Sequence, residues 1–313
     1  MKDIGGCVAK SHARAQTGTM ADLWSLGGLS WPELVKRTCR SSWEDEVFGQ
    51  AARLAFYYFL GIFPAILLLL LLLDTFGSTG PELRNTLVDS FQQIFPRGAS
   101  ALIAKTTGEL NARAVVGTGA LWAALGAAWA TLNGTWAMMV GLNRAYEVKE
   151  ERRLWRIVTI AFGLAISFGV MGLIALGAMF YGSRAWTIVS RHLGLQTLSL
   201  LPWRAIQWPV IIMLLLFCFA SLYRFGPNLK DRRWRWSTPG AVVAIVLWVG
   251  STVLLRIYQE HFSSSKRIYG ELEPVATLLL WLYFTGAAIL IGGEANSEIE
   301  KAAAEGHPDR RRP

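Results

Sequence analysis

The chain contains 313 residues, of which 53% are hydrophobic and 17% are charged, and it has a formal net charge of +9. On a soluble protein this charge would suggest a nucleic-acid partner, but a mean hydropathy of +0.34 indicates that the basic residues orient the chain in a membrane instead. The cysteines, Cys7, Cys39 and Cys218, are odd in number and widely spaced, which excludes a disulfide framework and a metal knuckle.

Six runs of the sequence carry no charged residue. They cover residues 54–73, 115–142, 157–183, 205–223, 236–255 and 274–293. A helix rises about 1.5 Å per residue, so about 20 residues cross the apolar core of a bilayer, where the backbone must satisfy its own hydrogen bonds. Six such helices leave too little polar chain to cover them in water. The sequence therefore predicts membrane spans at about 51–73, 115–140, 157–181, 205–224, 238–257 and 274–293.

Basic residues are unequally distributed between alternate connections. The segment before the first run, the second-to-third and fourth-to-fifth connections and the C-terminal tail hold 21 Lys and Arg, whereas the other connections hold 10. The positive-inside rule then places both termini in the cytoplasm. We expect an all-α polytopic membrane protein, with a disordered tail over 1–28, one six-helix domain over 29–296 and a cytoplasmic tail over 297–313.

Residues 29–48 have the pattern of an amphipathic helix before the first span. Ser30 and Glu33 fit a capping box, and Pro32 is tolerated in the first turn. The apolar positions recur at helical spacing and are Trp31, Leu34, Val35, Cys39 and Trp43. This helix could lie in the inner headgroup layer, with its tryptophans as anchors, or could pack under the bundle.

The first span contains Pro64 near its middle, which favours a kink. Residues 74–114 are predicted to face outward, with one short helix that ends at Pro96 and a second around residues 99–112. The second span carries a small-residue ridge of Gly126, Ala130 and Gly134, and the third repeats the pattern at Ala161, Ala165, Gly169 and Gly177. Small residues let helices approach closely in lipid, so we predict that these two helices form the centre of the bundle.

Chemistry-bearing patterns are few. No charged residue lies near a span midpoint, and Asn133 is the clearest polar side chain at depth, where a helix–helix hydrogen bond is its usual role. The four histidines show no metal-ligand spacing, and no phosphate-binding or nucleophile motif is present. The basic and aromatic connection at 224–236 is better explained by lipid headgroups than by nucleic acid. The sequence indicates no enzyme, cofactor or metal.

Several fragments together resemble the YihY / virulence factor BrkB family of bacterial inner-membrane proteins. They are AARLAFYYFL at 51–60 with Phe63-Pro64, ALW at 120–122, LNRAYEV at 142–148, YRFGPN at 223–228, WSTPGA at 236–241, YG at 269–270, WLY at 281–283 and GGEAN at 292–296. The resemblance implies six membrane helices with both termini inside, and it implies little about activity. Some family members carry a ribonuclease label, which would require metal-binding clusters that this sequence lacks.

Three functions remain open from the sequence. The first is transport of a lipid or other amphiphile through a groove that opens to the bilayer, with membrane lipids as partners. The second is a scaffold that binds a membrane-protein partner or a second copy of itself, and the third, disfavoured, is a ribonuclease. Candidate headgroup contacts lie at span ends or at depth: Arg53, Tyr57, Asn133, Asn143, Arg144, Tyr223, Arg224, Asn228 and Glu294. Interfacial anchoring and helix-end ion pairs are the alternative roles for each of them.

Overall fold

The computed structural model describes residues 26–74, 85, 96–109, 118–192, 203–229, 239–261 and 270–305. These residues form α-helices, two short 3-10 turns and connections, and the described part of the chain contains no strand. The helices are α1 (Trp31–Glu44), α2 (Val47–Asp74), α3 (Arg97–Glu109), α4 (Thr118–Ala145), α5 (Leu154–His192), α6 (Trp203–Phe225), α7 (Pro239–His261) and α8 (Glu273–Glu305). The 3-10 turns are Leu26–Gly28 and Gly270–Leu272. The predicted tail over 1–28 lies almost wholly outside the described residues.

Five of the described helices are long and apolar enough to cross a membrane. The qualifying stretches are Val47–Leu71, Leu154–Gly172, Ile206–Phe225, Pro239–His261 and Glu273–Ala303. Helix α4 has 28 residues, which is sufficient length, but its many Ala, Gly, Thr and Asn residues make it less apolar than the others. The chain is thus all-helical over its described residues, with five apolar helices able to span a bilayer.

Helices α2 and α4 pack closely in antiparallel directions. The small-residue ridge of α4 contacts α2, because Gly126 lies against the Pro64 ring, Ala130 against Gly61, and Gly134 against the Tyr58 ring. A side chain at Gly61 or Gly134 would push the two backbones apart. The predicted role of the Gly126–Ala130–Gly134 ridge in helix packing is confirmed.

Helix α8 is the central helix of the bundle. It contacts α1, α2, α3, α4 and α7, and 56% of its apolar stretch is buried, compared with 17–22% in the other four candidate spans. The prediction that α5 shares the centre is wrong, because among the described residues no atom comes within 4 Å of the position that a side chain would take at Gly169 or Gly177. Small residues in an apolar helix allow close packing only on a face that another helix contacts, and the sequence does not show which face is contacted.

The hairpin of α5 and α6 is tightly packed against the rest of the bundle at one end. The buried residues that join it to the main core include Ile157 and Leu164 of α5 and Leu222 and Tyr223 of α6. Further along, the two helices contact each other, since the Trp203 indole donates a hydrogen bond to the Ala178 carbonyl oxygen (3.0 Å). Among the described side chains of α6, the buried ones are confined to residues 220–223.

Helix α1 is shorter than the predicted helix over 29–48. It ends at Glu44, the chain turns at Asp45 and Glu46, and α2 begins at Val47. The capping box is not formed, because Ser30 occupies the N-cap without a side-chain hydrogen bond and Glu33 instead pairs with Arg37 (3.3 Å). The chain separates α1 from α2 at Glu46, whose backbone is left-handed (φ 53°). A glycine usually marks such a position in a sequence, and none is present here.

Each of the two interpretations of the amphipathic helix matches a different face of α1. The face of Leu34, Thr38 and Ser42 is buried, and Leu34 packs with Ile299 of α8. The tryptophan face is exposed, with 60% of Trp31 and 77% of Trp43 accessible. Helix α1 therefore packs under the bundle and leaves its tryptophans free for another surface.

Helix α3 closes the other end of the bundle. Ala99 packs with Leu255 of α7 and Leu278 of α8, and Ile103 packs with Ile66 and Leu70 of α2. The second of the two predicted short helices is therefore present as Arg97–Glu109. The first falls outside the described residues apart from position 85.

Candidate functional site at one end of the bundle

Six helix ends and α1 meet at one end of the bundle, which we call the terminal end. It contains the start of α2, α5 and α7 and the end of α4, α6 and α8. Three contacts across it show this convergence: Arg144 with Glu46, Asn143 with Asn228, and Asn296 with Gly240. Helix α8 runs through residues 297–305, which the sequence assigns to a tail, and packs there against α1.

The structure brings together six of the nine residues proposed from the sequence. Those at the terminal end are Asn143, Arg144, Tyr223, Arg224, Asn228 and Glu294. Arg53 is exposed on α2. Tyr57 lies edge-on to the Trp129 ring, with 6.2 Å between centroids. Asn133 donates to the Trp129 carbonyl oxygen (2.7 Å), so it bonds within its own helix and not to a neighbour.

Asn143 and Asn228 belong to a cluster around Arg152. The Asn143 side chain donates to Glu150 (Nδ2 to Oε2, 2.9 Å) and accepts from the Asn228 backbone N–H (2.8 Å). Arg152 donates to Glu150 (Nε to Oε1, 2.7 Å) and to the carbonyl oxygens of Phe225 (3.2 Å) and Gly226 (2.8 Å). The Arg152 cluster thus fastens the α4–α5 connection to the end of α6.

Arg152 and Glu150 form an ion pair whose charges are balanced and hydrogen-bonded. The Arg152 side chain is only 4% exposed, and each of its three nitrogens donates to an oxygen atom. Although burial raises the pKa of the Glu150 carboxyl, hydrogen bonds from Arg152 and Asn143 outweigh burial and hold that pKa below its usual range. Glu150 therefore stays ionised and fixes both neighbours.

Ion pairs connect the end of α8 to its surroundings. Lys301 bonds both Glu147 and Glu298 (2.9 Å each), and Ser41 of α1 donates to Glu298 (Oγ to Oε1, 2.9 Å). Arg144 pairs with Glu46 at 2.9 Å, and both side chains are well exposed. Such exposed pairs contribute little stability each, so their main effect is to orient α1 and the α4–α5 connection.

Close backbone contacts hold α6, α7 and α8 together at this end. Tyr223 is buried and its hydroxyl donates to the Ile289 carbonyl oxygen (2.8 Å). The Gly240 N–H donates to the Asn296 side-chain oxygen (2.8 Å), which satisfies one of the free donors at the start of α7. A Cβ at Gly240 would overlap the Gly292 carbonyl oxygen, so neither helix can carry a side chain at this crossing.

Glu294 is the most deeply buried charged residue among the described residues of the site. It is 0% exposed, and neither carboxylate oxygen has a hydrogen-bond partner. The Asp45 carboxyl, in the turn between α1 and α2, lies near enough to interact with it. Gln50 is 1% exposed, and its amide likewise has no partner.

Sequence reasoning misses five residues of this site: Asp45, Gln50, Glu150, Arg152 and Asn296. Asp45, Glu150 and Arg152 are hidden among other charged residues of short connections, where composition does not single out one of them. Gln50 is detectable, because it shares a helix face with the buried Val47, Ala51 and Leu54. Within the described residues, no three His, Cys, Asp or Glu side chains are grouped so that they could hold a metal ion.

Comparison with known proteins identifies the family of the chain. Residues 38–313 match the family model described as Virulence factor BrkB. The ribonuclease-like protein YfkH of Bacillus subtilis is 30% identical over 261 residues, which cover 81% of this chain and 90% of the relative. A UPF0761 membrane protein of Vibrio parahaemolyticus is 25% identical over 258 residues (82% and 78%), and one of Psychromonas ingrahamii is 24% identical over 272 residues (84% and 86%). No solved structure matches the chain. The chain belongs to the BrkB family and is a multi-pass membrane protein.

Proposed function

We propose that this protein moves a lipid or other amphiphile along a groove between the α5–α6 hairpin and the main bundle. The observation that carries the proposal is the uneven packing of the hairpin. The apolar stripe of α5 is buried at Ile157, Ala161 and Leu164, all near the terminal end. Further along the same stripe, Met171 and Ala175 are only partly buried.

The glycines of α5 are not packing positions. Gly163, Gly169 and Gly172 are exposed, and among the described residues nothing lies within 4 Å of a side chain built at any of them or at Gly177. In a helix that used these glycines for packing, a neighbouring residue would occupy that space, as Pro64 and Tyr58 do at the glycines of α4. An apolar space beside a polar end fits an amphiphile, whose tails stay in the bilayer while its headgroup meets the interface.

Basic residues near one end of the bundle could receive a headgroup. Arg144 is exposed at the terminal end of α4, and Arg53 is exposed in the second turn of α2. Guanidinium groups bind phosphate and carboxylate with two parallel hydrogen bonds. An anionic or zwitterionic lipid is therefore the substrate class that this surface suits, whereas an ion without apolar tails would gain nothing from the apolar walls.

We also propose that the protein crosses the membrane six times, with both chain ends in the cytoplasm. Helix α4 is antiparallel to α2 and reaches equal depth, since Gly126 lies beside Pro64. If α2 crosses the bilayer, α4 must return across it, although α4 is less apolar. The terminal end then faces the cytoplasm, because the connections that meet there hold most of the basic residues.

The transport proposal is tested by lipid movement in proteoliposomes. We expect the reconstituted protein to move fluorescent phospholipids between leaflets. Ala175→Trp, which fills the partly buried stripe of α5, should slow this movement about tenfold or more. Val170→Trp is the matched control, because Val170 lies on the same helix and is 45% exposed, and it should behave like the unaltered protein.

Two results would contradict the transport proposal. One is lipid movement no faster than in protein-free vesicles. The other is equal inhibition by Ala175→Trp and Val170→Trp, which would show that the hairpin–bundle space is not the route. A stable protein partner in fixed ratio, without any lipid movement, would favour the scaffold function instead.

A further inference from the structure

We infer that Asp45 and Glu294 form a proton-binding carboxyl pair, and that the protein holds one proton there while α1 is packed on α8. This site is distinct from the proposed groove. It lies between the α1–α2 turn and α8, on the central helix rather than on the hairpin. No transport activity is needed for it to exist.

The burial of Glu294 is the first argument. The residue is 0% exposed, and among the described residues neither of its oxygens accepts a hydrogen bond from a basic side chain or a backbone N–H. On either side along α8, Gly293 lies against Leu142 and Ala295 is 1% exposed, so this stretch of the helix is shielded from solvent. An ionised carboxylate without hydrogen bonds is very unfavourable in such surroundings, and the group takes up a proton instead.

The position of Asp45 is the second argument. Its carboxyl lies within interaction distance of Glu294, and two adjacent carboxyls resist losing both protons. Burial raises the pKa of the Asp45 carboxyl, and this effect outweighs the lowering caused by contact with Glu294, by Lys301 and by Arg144. The proton therefore belongs to the pair, not to one residue alone.

The other charged groups around the pair do not neutralise it. Glu298 and Lys301 face it from α8, Glu147 from the α4–α5 connection and Arg144 from the end of α4. Lys301 already bonds Glu147 and Glu298, and Arg144 bonds Glu46.

Polar groups of the other neighbouring helices are bonded elsewhere. From α6, the Tyr223 hydroxyl is bonded to Ile289. Helix α7 contributes the Gly240 backbone, which is bonded to Asn296. Helix α1 contributes Ser41, which is bonded to Glu298.

Buried polar groups lie on each of the three helices α1, α2 and α8. The Gln50 amide of α2, the Thr38 and Ser42 hydroxyls of α1 and the Glu294 carboxyl of α8 all lack partners, and all four residues are buried. An interface that only held helices together would be apolar or fully hydrogen-bonded. Separation of α1 from α8 would expose these groups to water and let Glu294 release its proton.

Infrared spectroscopy of the purified full-length protein tests the pair directly. At neutral pH we expect the C=O stretching band of a protonated, buried carboxylic acid. Glu294→Gln should abolish this band and Asp45→Asn should shift it. Glu273→Gln, at the opposite end of the same helix, is the control and should leave it unchanged. The band should also disappear from the unaltered protein at alkaline pH, which decides the matter even if a variant fails to fold.

Stability measurements provide the second readout. Unfolding at neutral pH releases the held proton, so the melting temperature of the unaltered protein should fall as the pH rises, and that of Glu294→Gln should fall less. The absence of the band at neutral pH, or its persistence in Glu294→Gln, would overturn the proposal. So would stabilisation by sodium over potassium that Glu294→Gln removes, because the occupant would then be a metal cation.

Discussion

At the residue scale, the Arg152 cluster shows how one side chain joins the α4–α5 connection to the end of α6. Arg152 is almost fully buried, and it reaches Glu150 and the carbonyl oxygens of Phe225 and Gly226. A buried charge stabilises a fold only when it is well paired and hydrogen-bonded, and each side-chain nitrogen of Arg152 donates to an oxygen atom. Removing the Arg152 side chain leaves the Glu150 carboxylate and the two carbonyl oxygens without their hydrogen-bond donor.

Arg152→Met tests this role. We expect a loss of about 3–5 kcal/mol in the free energy of unfolding, the usual effect of breaking a buried ion pair from one side. Thermal or denaturant unfolding in a mild detergent measures it. Arg153→Met is the matched control, because Arg153 is the exposed neighbour and should change stability very little. Equal effects would mean that net charge, and not the cluster, is responsible.

The pH dependence of the same cluster follows from Glu150. Its pKa is held below the usual range in the folded protein, so its ionisation stabilises the fold at neutral pH, and this contribution is lost as the pH falls through the folded pKa. Glu150→Gln should therefore be less stable than the unaltered protein at pH 7, and the difference should narrow below about pH 4. A stability difference that stays constant from neutral to strongly acidic pH would contradict the assignment.

At the scale of elements, the helices of this chain are held in register by contacts that exclude a side chain. Gly240 of α7 and Gly292 of α8 cross so closely that a Cβ on Gly240 would overlap a backbone oxygen. Gly226 is similar, since its Cβ would meet Leu142 of α4 and the Leu222 carbonyl oxygen. These glycines set the distance between helices at the terminal end.

Gly240→Ala should therefore destabilise the protein by at least about 1–3 kcal/mol, the usual effect of overpacking, because backbone atoms cannot move aside as a side chain can. Gly250→Ala is the control on the same helix. Nothing lies within 4 Å of its added methyl group, and alanine favours a helix over glycine by about 0.5–1 kcal/mol, so its stability should be unchanged or slightly higher. Similar melting temperatures for the two variants would show that the α7–α8 crossing tolerates a side chain.

Much of this element-level structure is predictable from the sequence, and the exceptions have physical causes. The uncharged runs locate α2, α4, α5, α6, α7 and α8, because a chain of this size has too little polar surface to cover six such runs in water. The break between α1 and α2 is not predicted, since Glu46 adopts a left-handed conformation without a glycine. The central position of α8 is not predicted either, because helices in lipid are apolar on every face and hydropathy does not separate buried from exposed sides.

The sequence predicts where the residues of the candidate site lie, but not which hydrogen-bond partners they have. The sequence proposes Asn143, Tyr223 and Glu294 at span ends, and the structure places them at one end of the bundle. The hydrogen bond from Tyr223 to Ile289 and the bond from Asn228 to Asn143 join helices far apart in the chain. Such long-range contacts leave no periodic signal in one sequence.

At the scale of the whole molecule, the fragments that carry the family resemblance converge. LNRAYEV, YRFGPN and GGEAN contain Asn143, Asn228 and Asn296, and WSTPGA contains Gly240. The Arg152 cluster joins the first two fragments and the Gly240–Asn296 bond joins the other two, all at the terminal end. One end of the bundle is thus a closely bonded polar assembly, while the α5–α6 hairpin is less tightly packed on the bundle further along. The proposed transport and the proposed proton site both depend on this asymmetry.

The six-span topology is the prediction that tests the molecule as a whole. A chain with Cys7, Cys39 and Cys218 replaced by serine would carry one new cysteine at a time, each at an exposed position. The terminal-end variants are Lys36→Cys, Glu151→Cys and Glu305→Cys, and those at the other end are Lys105→Cys, His192→Cys and His261→Cys. In intact spheroplasts, a membrane-impermeant maleimide should label the variants at the other end, and it should label the terminal-end variants only after permeabilisation.

The comparison of Lys36→Cys with Glu151→Cys decides whether α4 crosses. Helices α2 and α4 both lie between these two positions, so two crossings return the chain to the side on which it began. If α4 did not cross, α2 alone would separate them and the two cysteines would lie on opposite sides of the membrane. Labelling of Glu151→Cys in intact spheroplasts, with Lys36→Cys protected, would therefore reject the sixth span. It would also reject the terminal end as one cytoplasmic surface, because α1 and the α4–α5 connection could not then meet there.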